Sequence, residues 1–280
     1  MTFRLTLVSV LLIAVSVTAQ EWGVVTPEEW HVSCGDSTVD CGAVVIFDRG
    51  LAKVEFRGVE CRRHTRLKIV DEAGCEFVRS IGVEHYSYDH LSKLKAQILR
   101  SDGSVTELAD DAFEEVETGS LRTQRLVFSD VHPGDIVEYQ YRISYYGGYD
   151  KLGAEKYLLF SQDKRYSQQR ADQKYVALSF DSDRERNITN LPTWYFDHQF
   201  PCLSSELTVQ LGADLDYAYL TTNIPSEQSE PEMERVKVLT ATAYKKYTWH
   251  LRDIPAYRPE GFSVPLEKDR MGVHFQLFST

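Results

Sequence analysis

The amino-acid sequence predicts an all-β protein: an antiparallel β-sandwich, or two packed sandwich halves, with few short helices. Three observations carry that prediction. Short runs alternate apolar and polar residues with a period of two, as in "IVEYQYRISY" (136–145), the pattern of a strand with one face in a core and one in water. Turn chemistry separates the runs, at "RSDGSV" and "VHPGD" among others, where Asp-Gly and Pro-Gly suit tight reversals. Helix-period patterns are scarce.

Taken in order, the chain opens on "MTFRLTLVSVLLIAVSVTAQ". Arg4 precedes an apolar run from Leu5 to Val17 and the small residue Ala19, which reads as an export signal over residues 1–19 with cleavage before Gln20. The run is shorter than the roughly 20 residues that span a bilayer. An exported destination, periplasmic or secreted, follows, with no membrane span once the signal is gone.

Residues 20–145 form the first β half. "TRLKI" points Leu67 and Ile69 one way, "KLKAQIL" does so with Leu94, Ala96 and Ile98, and the 136–145 run sets Val137, Tyr139, Tyr141, Ile143 and Tyr145 against Glu138, Gln140, Arg142 and Ser144. Turns are expected at "FDRGL" (48–50), at "EAGC" (Gly74), at Asp102-Gly103 and at Pro133-Gly134. The helical candidates are "DHLSKL", with Asp89 as cap, and "DDAFEEV" around Phe113. Residues 146–192 break the rhythm and read as an insertion or crossover. Residues 193–280 form a second β half and a C-terminal connector, with Leu207, Val209 and Leu211 on one strand face and Tyr247, Trp249 and Leu251 on another.

The chain of 280 residues carries a formal charge of −11. Removing the signal takes away Arg4 and no acid, so the balance becomes more negative. Such a chain repels nucleic-acid phosphate, and no clustered basic stripe stands out in the sequence to overcome this.

Five cysteines are present, an odd number for internal pairing. Cys34 and Cys41 bracket the polar loop "GDSTVD" and are the best-placed pair for a disulfide; the alternative is that the cysteines are small buried hydrophobes.

Motif-grade chemistry is missing: no HExxH, CxxC, P-loop or GxSxG occurs. His85, Asp89 and His90 in "EHYSYDH" fit neither a strand face nor a helix face cleanly, so a metal site there is disfavoured against a polar loop. "DSDRE" (Asp181, Asp183, Glu185) starts like a calcium loop but lacks its glycine and terminal acid. His198 and Cys202 in "HQFPC" lie four residues apart, too far along an extended strand for a nucleophile pair. Asn187-Ile188-Thr189 is a glycosylation sequon, relevant only in a glycosylating host. The 16 tyrosines and four tryptophans suit strand packing better than a sugar platform. No catalytic, cofactor-binding or metal residue is assigned.

The succession "GAVVIFDRG", "RRHTRLKIVDEAGCEF", "LKAQILRSDGSVTEL", "LVFSDVHPGDIVEYQYRI", "WYFDHQFPCLSSELTVQL" and "DIPAYRPEGFSVPLEKDRMGVHFQL" resembles the bacterial domain of unknown function found N-terminal to transglutaminase-like domains in exported proteins. The resemblance runs from about Gly42 to Leu277, with 146–192 departing. It implies a sandwich-type domain without assigned catalytic residues, followed in that family by a transglutaminase-like domain with a Cys-His-Asp triad. No cysteine of this chain stands at a matching triad position. The expectation is therefore a non-catalytic exported module that binds or positions a transglutaminase-like cysteine-peptidase domain, supplied in cis or in trans. The alternative is a binding module for cell-envelope glycan or polysaccharide. The chain alone is expected not to be an enzyme and to use no cofactor.

Overall fold

The computed structural model describes residues 22–34, 41–55, 58–79, 81–87, 89–145, 188–189, 193–212, 215–236, 244–258 and 269–279. Along the first part of the chain lie α1 (Pro27–Trp30), β1 (Ala43–Glu55), β2 (Gly58–Ile69), α2 (Glu72–Val78), β3 (Gly82–Tyr86), β4 (His90–Leu99), β5 (Val105–Glu107), β6 (Phe113–Thr118), β7 (Leu121–Leu126) and β8 (Ile136–Tyr145). Then come β9 (Ile188–Thr189), β10 (Trp194–Tyr195), β11 (Cys202–Gly212), β12 (Leu215–Thr222), β13 (Glu232–Val236), β14 (Tyr244–Ile254) and β15 (Gly272–Ser279). The protein is all-β, as the alternation predicts.

One large sheet organises the molecule, with strand order β13-β14-β11-β1-β2-β8-β4-β5. Strands from both sides of 146–192 share it: β11 runs parallel to β1, with Gly50 beside Leu207 and Val54 beside Leu211, and its other pairs are antiparallel. A parallel neighbour needs a long crossover connection, and the chain between β1 and β11 supplies it.

Strand alternation divides the large sheet into two faces. The inner face carries Val45, Ala52, Val54, Leu67, Leu207, Val209, Leu211, Trp249 and Leu251. These meet Val273 and Phe275 of a small sheet built from β10, β15 and β12, with β9 also paired to β15, and Phe196 just after β10. Further along the same face, Ile69, Ala96, Ile98 and Val137 pack with Val83 and Leu126 of the β3-β7-β6 sheet, with Phe128 just after β7, and with Cys75 and Val78 of α2. The result is a sandwich in which one wide sheet is covered by two narrow ones.

The described residues cover the outer face along part of its length. Ile46, Phe47, Leu99 and Ile136 lie beneath Val25, Trp30 and Val32 of the N-terminal segment. Thr26 caps α1: its side chain accepts from the Glu29 amide while Glu29 Oε2 accepts from the Thr26 amide at 2.9 Å, a reciprocal arrangement that holds even a one-turn helix. The Cys34–Cys41 disulfide, with Cα atoms 6.0 Å apart, ties this segment to the start of β1 and bears out the pairing expected from the spacing.

Four local expectations are corrected. "FDRGL" is not a turn but the middle of β1, because Asp48 is drawn inward by an ion pair and Gly50 admits a neighbouring ring. A Cβ on Gly50 would stand 2.4 Å from the Trp194 ring. "DHLSKL" is strand β4; a register shift between Ser92 and Lys95 brings Leu91 and Leu94 onto the same core, so the helix-like spacing is absorbed by a bulge. "EAGC" is helix α2, capped by Asp71 through the Ala73 amide at 2.8 Å. "DDAFEEV" gives one 3₁₀ turn at Asp110–Ala112 and then strand β6. The turns at Asp102-Gly103 and Pro133-Gly134 form as expected, with Gly103 at φ +86 and Gly134 at φ +95.

Candidate functional site

Two charged clusters are built into the large sheet, one on each face. On the inner face Asp48 is fully buried. Arg63 donates to it twice, Nε to Oδ1 at 2.8 Å and Nη2 to Oδ2 at 2.6 Å, the fork geometry that suits guanidinium to carboxylate. Thr65 donates to Oδ1 at 2.8 Å, and His198 Nε2 stands 3.1 Å from Oδ2. Burial alone would raise the Asp48 carboxyl, but the Arg63 charge and the His198 hydrogen bond hold it well below the usual carboxylate range. Arg63 also lies over the Trp194 ring, 4.7 Å from its centroid.

On the outer face Glu138 is fully buried beneath the N-terminal segment. It receives Arg66 Nη2 at 2.7 Å, Gln97 Nε2 at 2.7 Å and the Gly23 amide at 2.9 Å, with His64 Nε2 at 2.7 Å. Arg66 extends the cluster to Glu29 Oε2 and the Val24 carbonyl, both at 2.8 Å. Alternation places Glu138 on the wet side of β8; the segment over it makes that side interior. This is a correction to the outward face read from the sequence.

Among the described residues nothing covers the outer face beyond this segment. A groove of about 450 Å³ runs across β11, β1, β2, β8 and β4, lined among others by Arg49, Arg62, His64, Lys93, Arg142 and Glu206. Glu60 accepts from Arg62 Nε at 2.7 Å and pairs with Arg142 Nη1 at 3.0 Å. Burial pulls the Arg49 guanidinium down, Glu206 opposing. No sequence motif marks these side chains, since they come from five strands; only the outward half of each alternation could have pointed to them.

The residues singled out from sequence fall as follows. His198 and Cys202 are not paired: His198 faces Asp48, while the Cys202 thiol donates to the Ser204 carbonyl at 3.4 Å. Burial, reinforced by the Asp48 charge, pushes the Cys202 thiol far up. The Cys61 thiol is pushed up to about 12 by burial and then by Glu60, and burial also raises Cys75. Three free thiols are thus held protonated, the inert form.

His85 is buried in β3, with its ring Nδ1 3.0 Å from the Tyr86 carbonyl. Asp89 accepts from the Tyr86 amide at 3.2 Å, and His90 is exposed at the start of β4. Among the described residues no three His, Cys, Asp or Glu side chains gather as a metal cradle. Asp181, Asp183, Glu185 and Asn187 lie outside the described residues.

Among the described residues several aromatic rings pack on one another. Tyr217 stacks on Tyr219 at 5.7 Å, and Tyr219 meets Trp249 edge-on at 5.3 Å. Tyr139 and Tyr141 are half-buried against the core. No helix among the described residues is long and apolar enough to cross a membrane.

Comparison with known proteins adds a family and a fold. The family model of a domain of unknown function with solved structure, DUF3857, matches residues 57–258. No curated protein matches. Among solved structures, a candidate protease from Parabacteroides distasonis ATCC 8503 superposes with a TM-score of 0.59 at 13% identity, over 85% of this chain and 40% of that one. The M1 zinc metallopeptidase from Deinococcus radiodurans gives 0.36 at 9% identity, over 85% of this chain and 42% of that one. The chain thus spans about two fifths of the length of the solved proteins it matches.

Proposed function

The chain belongs to the DUF3857 family, and on that premise we propose that it is an exported, non-catalytic β-sandwich module that positions a transglutaminase-like cysteine-peptidase domain. The observation that carries this reading is a pairing of likeness and inertness. The chain shares its fold with part of a candidate protease while covering 40% of it, and its own free thiols are held protonated by burial. A peptidase thiol needs a base in contact and a lowered pKa; Cys202 has neither, its histidine neighbour in sequence being engaged by Asp48. Export is supported by the apolar run at Leu5–Val17 and by the Cys34–Cys41 bridge, since such bridges persist in oxidising compartments. The glycan-binding alternative draws no support from rings such as Tyr217, Tyr219 and Trp249, which pack on one another.

The test is a peptidase and transamidation assay on purified residues 20–280, alone and with a transglutaminase-like catalytic domain encoded in the same genome. The chain alone gives no turnover, and its addition changes the rate or substrate range of the catalytic domain. Turnover by the chain alone that disappears in Cys202→Ser would overturn the proposal.

A further inference from the structure

We propose that the open half of the outer sheet face binds a compact ligand bearing two or more oxyanion groups, carboxylate or phosphate, through Arg49, Arg62, Lys93 and Arg142. The charge of this groove runs against the rest of the molecule. In a chain with a net charge of −11, its lining gathers Arg49, Arg62, Arg142, Lys93 and His64 around Glu206, with Arg63 turned to Asp48. A cleft of one sign focuses field lines and concentrates counter-ions.

The arrangement also runs against what a sheet needs for its own stability. Arg62 of β2 and Arg142 of β8 are direct cross-strand partners on the same face, and like charges directly opposite are unfavourable. Among the described residues a single carboxylate, Glu60, serves both guanidinium groups, two positive charges against one negative. Arg49 stands directly across from His64 on the neighbouring pair of strands. Arg142 Nε is buried with no acceptor among the described residues, and a buried donor left unmet calls for a missing partner.

Lys93 adds a fourth charge from an unusual backbone. It sits at φ 51, within the register shift of β4, a conformation uncommon for lysine that a bulge imposes. Bulges near sites re-aim side chains, and Lys93 lines the groove exposed. Gln140 and Thr208 supply neutral hydrogen-bonding groups to its lining.

The ligand class follows from the groups present. Guanidinium forks match the two oxygens of a carboxylate or phosphate, and a groove of about 450 Å³ falls in the range of small-molecule sites. The net negative charge of the chain opposes an extended polyanion, so the ligand is small and multiply charged rather than polymeric.

The experiment is isothermal titration of the full chain with citrate and with inorganic pyrophosphate, at low and at physiological salt. At least one probe binds, more weakly at higher salt, and which one binds separates a carboxylate source from a phosphate source. The Arg62→Gln/Arg142→Gln variant binds about tenfold more weakly or worse, while Arg79→Gln, on α2 and paired with Glu76, binds as the parent does. Thermal melts without ligand give a second readout: Arg142→Gln keeps or raises the melting temperature and loses the probe-induced shift. Absence of binding by both probes, affinity unchanged in the double variant, or a melting temperature lowered by Arg142→Gln would overturn the proposal. The peptidase-module reading stands or falls apart from any of these results.

Discussion

Glu138 and Arg66 meet at 2.7 Å with neither side chain exposed to solvent. Arg66 carries the contact on to Glu29, and Glu138 reaches the Gly23 amide, so one buried pair fastens both ends of residues 23–29 to the sheet. The apolar contacts of Val25 and Trp30 then close over it. Removing one partner of such a pair leaves a buried charge without compensation.

Glu138→Gln should therefore destabilise the fold by about 3–5 kcal/mol, and the N-terminal segment should become the first site of proteolysis. The combined replacement Glu29→Gln/Arg66→Met/Glu138→Leu should cost less than the single change, since it removes the carboxylate at each end of Arg66 together with the guanidinium and leaves no orphan charge. Denaturant melts and limited proteolysis of the three proteins check the order.

Ile143 is buried on β8, at 4% exposure, whereas its neighbour Gln140 lines the groove of the opposite face. Ile143→Ala should cost about 2–5 kcal/mol through lost burial and the cavity left behind, and Gln140→Ala should fall within about 0.5 kcal/mol of the parent. Equal costs in denaturant melts would mean that the alternation of β8 does not divide core from surface.

Gly50→Ala should destabilise by about 1–3 kcal/mol through overpacking, because the Trp194 ring already occupies the space a Cβ needs. Replacing Trp194 by Leu in the same protein should recover part of that loss. A double-mutant cycle with no coupling would place the ring elsewhere.

Gly50 also shows where sequence reading reaches its limit. Asp-Arg-Gly is turn chemistry by local propensity, yet here both Asp48 and Gly50 answer to partners distant in the chain, Arg63 and Trp194. The strands β8, β11 and β14 were legible because their alternation is a local consequence of one-sided burial. The bulge in β4 was not, since it makes Leu91 and Leu94 share a face at a spacing that imitates a helix turn. The same holds for the charged groups: alternation assigns Glu138 to water and cannot foresee that the chain's own N-terminal segment covers it. The groove was illegible for a related reason. Its arginines sit at single outward positions on separate strands, and only the strand order makes them neighbours.

Stability should respond to pH with opposite signs at two carboxylates. Asp48 is held well below the usual carboxylate range, its burial outweighed by Arg63 and His198. Its unfolded counterpart takes up a proton first as pH falls, so the stabilisation is complete above the ordinary carboxylate range and drains away through and below it. Asp89 is pushed up to about 6 by burial, against the Tyr86 amide and His85. Here the folded protein holds its proton longer than the unfolded chain does, so between pH of about 4 and about 6 stability falls as pH rises. The stability difference between the parent and Asp48→Asn should shrink as pH drops below about 4, where the unfolded parent takes up a proton that the folded carboxylate still refuses. The difference between the parent and Asp89→Asn should instead move in the parent's disfavour as pH climbs from about 4 to about 6, then level off. Chemical unfolding of the three proteins from pH of about 2 to about 7 reads both slopes. A parent that gains stability relative to Asp89→Asn on the way to neutrality would show that Asp89 is stabilised as a carboxylate, by His85 or another donor, and not penalised by its burial.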